Sequence, residues 1–344
     1  MVKKKGLLAD ILKLVLFIGI GLFFIYWSFH KMNPEDMQYF MDSFHDALWA
    51  PVALAMVVAL LSHLVRALRW QLLFKPMGLK PSLLNTFGSV VVAYMANLAF
   101  PRLGEVVRCG TLRTSEKIPL EKSLGTVVTE RVVDVFAFGL VVLLGLLLAF
   151  NTLKDWLYDA LLTKVESLPS LAAVVGVAVV LAAIAFVLYR IFKKQLDEKP
   201  IVKKVKQLLL SFVDGLKSIL HLGPVNTFLF IFYSILIYVL YILGGYIVFG
   251  AFVETRGLPF MAAFILYLFG SVGMAVSQGG IGAYPYLVQQ SLNIYAIPDP
   301  VGLACGWMLW GSQQVVNVVV GMGFMIYFSI KKKKNPQPEQ SSEQ

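Results

Sequence analysis

A chain of 344 residues that is 58% hydrophobic, 15% charged and at a mean hydropathy of +0.75 is too apolar for an ordinary soluble domain, which carries about 25% charged residues. The net charge of +10 does not point to nucleic acid, because its lysines and arginines gather in loops and tails beside apolar stretches, where they set membrane orientation. Cys109 and Cys305 form no spaced motif and the four histidines are scattered, so neither a disulfide framework, a metal site nor a cofactor is expected.

In chain order, apolar segments run over about 11–29, 48–66, 83–100, 124–150, 168–192, 226–252, 259–276 and 300–330, several close to the ~20 residues that span a bilayer. This pattern predicts an all-α polytopic bundle, with one transmembrane domain over 1–334 and a polar, disordered tail over 335–344. Lys3, Lys4 and Lys5 before the first run resemble the start of a signal peptide. The run is longer than a usual signal core and no small-residue cleavage site follows Trp27, so it reads as a retained first helix.

Basic residues then orient the spans. The N-terminal lysines lie inside, and 30–47, with Glu35, Asp36, Asp42 and Asp46, lies outside. Arg66, Arg69, Lys75 and Lys80 return the chain inside, as do the lysines of 193–217 and Lys331 to Lys334. Both termini are therefore expected in the cytoplasm of an inner, multi-pass membrane protein. The segment 101–122 conflicts with eight plain spans, because Arg102, Arg108, Arg113, Lys117 and Lys122 would lie outside. A re-entrant segment over 83–100 removes the conflict, and an oppositely inserted one over 259–292 then restores the C-terminus. The alternatives are eight spans, or six with two re-entrant segments in an inverted repeat, as in many transporters. The sole hint of self-similarity is Gly-Ser-Val at 88–90 and 270–272. Residues 193–222 form a basic loop containing an amphipathic helix over 200–220, lying on the membrane or packed on the protein's own cytosolic face.

The charges are the most informative feature. Glu105 and Arg108 fall three apart, and Thr126, Glu130 and Asp134 share one helical face, followed by an uncharged stretch over 135–150. Charges at bilayer depth cost about 3 kcal/mol or more and normally face a partner or a wet cavity. Arg102, Arg108 and Arg131 can neutralise the carboxylates, and arginine's planar fork binds carboxylate or phosphate equally well. The set is either an architectural ion-pair network or, because cations outnumber acids, a site for an anionic group such as a lipid phosphate. Ser277 to Tyr286 holds Gln278, Gly279, Gly280 and Gly282, an irregular stretch that at membrane depth either lines a cavity or packs tightly. It has no nucleotide-loop spacing, and no nucleophile accompanies Glu130 and Asp134, so no enzyme template fits.

Arg69-Trp70, Asn97, the run Pro101-Arg102-Leu103-Gly104-Glu105 with Arg108, Ser123, Glu130-Arg131 with Asp134, and Gln278 to Gly282 together resemble the lysylphosphatidylglycerol synthase transmembrane-region, or flippase-like, family. The resemblance covers about 10–330. It implies a membrane region that moves or binds lipid, in a short form without the soluble aminoacyl-transferase domain of the full synthases. Where members often carry an acidic residue after the glycine loop, this chain has Ala283-Tyr284-Pro285. The expected function is a lipid flippase or headgroup-binding transporter, with a membrane-embedded enzyme or a structural subunit as alternatives. Its site would draw on Asn97, Arg102, Glu105, Arg108, Glu130, Arg131, Asp134, Gln278, Gly279, Gly280 and Gly282. The expected partners are a membrane phospholipid or lipid-linked anion and a second copy of the chain, with no nucleic acid.

Overall fold

Apolar sequence with no water to satisfy its backbone must bond internally, and a computed structural model shows that among the described residues it does so as helix. The structure describes residues 2–99, 103–149 and 222–334; Arg102, the segments 168–192 and 193–221, and the tail from Asn335 lie outside the described residues. Among the described residues there are ten α-helices and no strand: α1 (Val2–His30), α2 (Pro34–His45), α3 (Trp49–Phe74), α4 (Leu83–Ala99), α5 (Leu103–Glu116), α6 (Leu120–Leu148), α7 (Pro224–Val248), α8 (Phe260–Val276), α9 (Ala283–Asn293) and α10 (Asp299–Lys334).

Local signals set the ends. At α2, Asn33 accepts from the Asp36 amide at 2.7 Å while the Asp36 carboxylate accepts from the Asn33 amide at 3.4 Å, a capping box with Pro34 in the first turn. After α3 a 3-10 turn runs over Lys75–Met77, and Gly78 closes it at φ +70°. The α3 helix thus continues well past the apolar run read from sequence as 48–66. Arg66 and Arg69, read there as orienting loop residues, are buried inside it.

Among the described residues, three helical stretches are long and apolar enough to cross a bilayer: Trp49–Met77, Pro224–Ala251 and Asp299–Lys331. The bent pair Val15–His30 and Pro34–His45, at 111°, can count as a fourth. At 17 residues each, α4 and α8 reach about 25 Å, short of the ~30 Å hydrocarbon core. Each turns back on the shorter helix after it. Gly104 of α5 lies against the Ala93 carbonyl and Asn97 of α4, and Gly273 of α8 lies against the backbone of Tyr284 in α9. These are two helical hairpins, and they overlap the segments 83–100 and 259–292 read from sequence as re-entrant.

Helices α3 and α7 run antiparallel between them. The Leu48 amide donates to the Ala251 carbonyl at 2.9 Å at one end, and Lys75 Nζ donates to Asn226 Oδ1 at 2.9 Å at the other. Two apolar cores result. One joins the α4–α5 hairpin to α6, the end of α3 and the start of α7 around Trp70, Phe74, Leu112 and Phe230. The other joins the α8–α9 hairpin to α2, α10 and the opposite ends of α3 and α7, around Val52, Phe249, Leu292 and Leu303. The site lies where they meet.

Candidate functional site

Glu130 of α6 is fully buried, and three arginines from two other helices reach it. Arg69 Nη2 donates to Oε1 at 2.8 Å, Arg66 Nη1 to the same oxygen at 3.3 Å, and Arg108 Nη2 to Oε2 at 2.7 Å. One turn along, Asp134 accepts from Arg69 Nη2 at 2.6 Å and Arg66 Nη1 at 3.1 Å, and pairs with Arg131 at 3.3 Å. Helical spacing puts the two carboxylates on one face of α6 and the two guanidiniums on one face of α3, so the helices are stitched through four contacts. Thr126 occupies the next turn of the same stripe and accepts from Trp70 Nε1 at 2.8 Å. Trp70 also lies under the Arg108 guanidinium, 4.5 Å from the ring centroid. Ser234 of α7 takes a further bond from Arg69 Nη1 at 3.1 Å.

Four guanidiniums thus surround two carboxylates, and the Nε atoms of Arg66, Arg69, Arg108 and Arg131 are buried without a partner. Glu105, whose Oε2 is also buried and unpartnered, lines a small adjoining cavity of about 50 Å³ with Asn97, Arg66, Arg108 and Arg131. Even with Glu105 counted, positive charge is in surplus. Arg131 is the least enclosed of the four, with 43% of its side chain exposed, against 1% for Arg69.

Beside this network is a cavity of about 480 Å³, within the ~300–1,000 Å³ of small-molecule sites. Arg66, Arg131 and Asp134 form its charged wall. Tyr94, Tyr238, Tyr241, Tyr267 and Tyr284 contribute rings, and Gln313 and Asn317 of α10 contribute uncharged polar groups. Arg66 Nη2 donates to Tyr241 Oη at 3.1 Å, which ties the charged wall to the tyrosines. Val135 on α6 and Met274 on α8 also belong to the lining and are 69% and 43% exposed, so the cavity reaches the outer surface between those two helices.

The sequence-derived residues divide into two groups. Arg108, Glu130, Arg131 and Asp134 converge as one network, with Glu105 and Asn97 at its edge. Arg102 lies outside the described residues. Gln278, Gly279, Gly280 and Gly282 form a separate contact: Gln278 Nε2 donates to the Asn97 carbonyl at 3.1 Å, and the Gly279 carbonyl accepts from Trp310 Nε1 at 2.8 Å. Asn97 Oδ1 accepts from the Gly104 amide at 2.7 Å, so the tips of the two hairpins are joined through Asn97. This loop is not among the described residues that line the larger cavity. Sequence reasoning missed Arg66 and Arg69 as site residues, together with the tyrosines. The signal was present, since Arg66 falls four after Ser62, with Arg69 three and Trp70 four beyond it, and apolar residues continue to Phe74.

Residues 11–321 match the family described as Lysylphosphatidylglycerol synthase TM region, and so nearly the whole of what has been described above. The chain belongs to this family. As a member it is a multi-pass membrane protein. Over 297 residues it is also 23% identical to the UPF0104 membrane protein of Methanocaldococcus jannaschii, covering 82% of this chain and 87% of that relative. No solved structure matches it.

Proposed function

We propose that this protein binds an anionic lipid headgroup in the larger cavity and carries it across the bilayer, with the phosphate received at Arg131. The observation that carries the reading is the surplus of positive charge beside an open cavity: the buried Glu130 and the partly buried Asp134 are saturated by arginines, while Arg131 retains exposed surface on the cavity wall. A cation that is neither paired to capacity nor fully hydrated favours an anion. The lateral reach between Val135 and Met274 suits a ligand whose tails stay in hydrocarbon. A carrier is favoured over a catalyst because Glu130 and Asp134 are engaged by guanidiniums and have no free proton to exchange. The proposal includes an inner-membrane location with both termini in the cytoplasm, from the lysines at 3–5 and 331–334.

The test is mass spectrometry of lipids that copurify with the protein, followed by movement of fluorescent forms of those lipids in proteoliposomes. Arg131→Gln should cut binding by about 10- to 100-fold, the size of a charge-assisted hydrogen bond, and should slow movement. Parent-like binding in that variant would sink the headgroup reading. Turnover of a lipid-linked compound by purified protein would favour an embedded enzyme instead.

A further inference from the structure

The Ala251 end of α3 and α7 carries a second concave site, which shares no residue with the cavity at Arg131. Pro51 and Leu54 of α3, Tyr246 of α7 and the turn at Gly250 line a groove of about 520 Å³, completed by Arg256 and Leu258 of the loop before α8. Here lies one end of two helical stretches long enough to cross a bilayer, Trp49–Met77 and Pro224–Ala251. Such ends sit among lipid headgroups, and the exposed Trp49 and Tyr246 match the aromatic belt of that level. Leu54, more than a turn further along α3, is exposed too, so the apolar lining continues toward the hydrocarbon.

The loop that carries Arg256 is pinned in place. Buried Thr255 donates from Oγ1 to the Phe249 carbonyl at 2.7 Å, and the Leu258 amide donates to the Thr255 carbonyl at 3.2 Å, with Gly257 at φ +91° making the turn. Arg256 is exposed, and its Nε donates to the Gly250 carbonyl at 3.3 Å, which holds the guanidinium beside the groove. Both Nη groups are left over. Among the described residues no carboxylate pairs with Arg256, and Glu254 accepts from Tyr39 Oη at 2.7 Å instead. A fixed guanidinium at headgroup level, beside an apolar groove with exposed walls, is complementary to a phosphodiester that carries an acyl chain.

We infer that this groove holds a phospholipid of the surrounding leaflet, its phosphate on Arg256 and one acyl chain between α3 and α7, at a site separate from the cavity at Arg131. A lipid bound there bridges the ends of the two helices that bring Arg66, Arg69 and Tyr241 to the interior.

The test places the full chain in phosphatidylcholine proteoliposomes with a trace of one of two probes, each bearing a diazirine in mid-chain. One is phosphatidylmethanol, whose headgroup is little more than the phosphodiester, and the other is the diacylglycerol that lacks the phosphate. After irradiation, adducts are mapped by peptide mass spectrometry. In the parent, peptides carrying Leu54 or Tyr246 should be labelled about fivefold more by phosphatidylmethanol than by diacylglycerol, the worth of one basic residue near a membrane surface. Arg256→Gln should erase that difference and leave the diacylglycerol adducts as they are. Gly250→Leu, which extends a side chain toward Pro51, should lower the adducts of both probes. Equal labelling by the two probes in the parent overturns the inference, as does a difference that survives Arg256→Gln. No adduct on these peptides in the parent overturns it as well, since another segment of the chain or a second copy then fills the groove. Loss of the phosphatidylmethanol excess on adding millimolar inorganic phosphate would mark a site for a soluble anion and overturn it too. Arg131→Gln should leave the groove labelling unchanged, so that failure of the headgroup reading and failure of this one are read separately; loss of the groove adducts in that variant would show one site where two are inferred.

Discussion

Arg69, Glu130 and Asp134 are the residues on which the interior depends, since each guanidinium or carboxylate removed leaves its partners charged and dry. Arg69→Met or Glu130→Gln alone should destabilise by about 3–5 kcal/mol. The double variant should lose less than the sum, read from denaturant unfolding in detergent; additive losses would show that the pair is not coupled. Gly282 tests a different constraint. Its φ of +69° disfavours any side chain, and a Cβ there would run into the Gly21 carbonyl of α1, where two backbones touch. Gly282→Ala should therefore lower Tm, whereas Gly323→Ala, with nothing within 4 Å, should leave it level or raise it. Equal effects at the two positions would contradict this packing. The stripe Thr126–Glu130–Asp134 was legible from spacing alone. Its partners on α3 were not assigned, because a positive residue at the end of an apolar run has the same sequence signature whether it faces cytosol or a buried acid.

At the scale of elements, the α4–α5 hairpin is closed at its base by Glu116, which accepts from the Ser82 amide at 3.0 Å, from Ser82 Oγ at 2.6 Å and from Asn85 Nδ2. Burial, the largest influence, pushes this carboxyl up, but those donors prevail and hold it below the usual carboxylate range. A group with a lowered folded pKa contributes stability above its unfolded pKa and loses it as pH falls through the folded value. Amide exchange at 82–86, corrected for intrinsic rates, should therefore quicken below about pH 4. In Glu116→Ala it should be fast already at neutral pH. Flat exchange across that range in the parent would rule out this closure. The positive charge of 101–122 was the sequence's argument for a turn-back after 83–100, and the second hairpin was inferred from it only by balancing the C-terminus. The docking of one tip on the other, through Gln278 and Asn97, left no trace in the sequence because a side-chain amide bonding a distant carbonyl has no periodicity.

At the scale of the whole molecule, among the described residues, the two hairpins, the antiparallel α3 and α7, and the two cores flank one polar interior. The same arrangement predicts that 101–122 faces the cytoplasm. Single cysteines at Lys117 and Lys122, in a chain lacking Cys109 and Cys305, should resist an impermeant thiol reagent applied to intact cells; strong labelling from outside would refute this topology. Membrane class, helical architecture and the charged stripe on α6 followed from the sequence by itself, because hydropathy and helical spacing are properties of neighbouring residues. The span over 168–192 and the amphipathic helix over 200–220 remain readings of sequence, outside the described residues. What only the tertiary structure decided is which helix supplies the counter-charges, that tyrosines from the second half complete the cavity, and that His63 lies against Asn317. Those depend on approach between segments up to 254 residues apart, as for His63 and Asn317, and burial turns that approach into energy because a charge or lone pair shielded from water must find its partner within the fold.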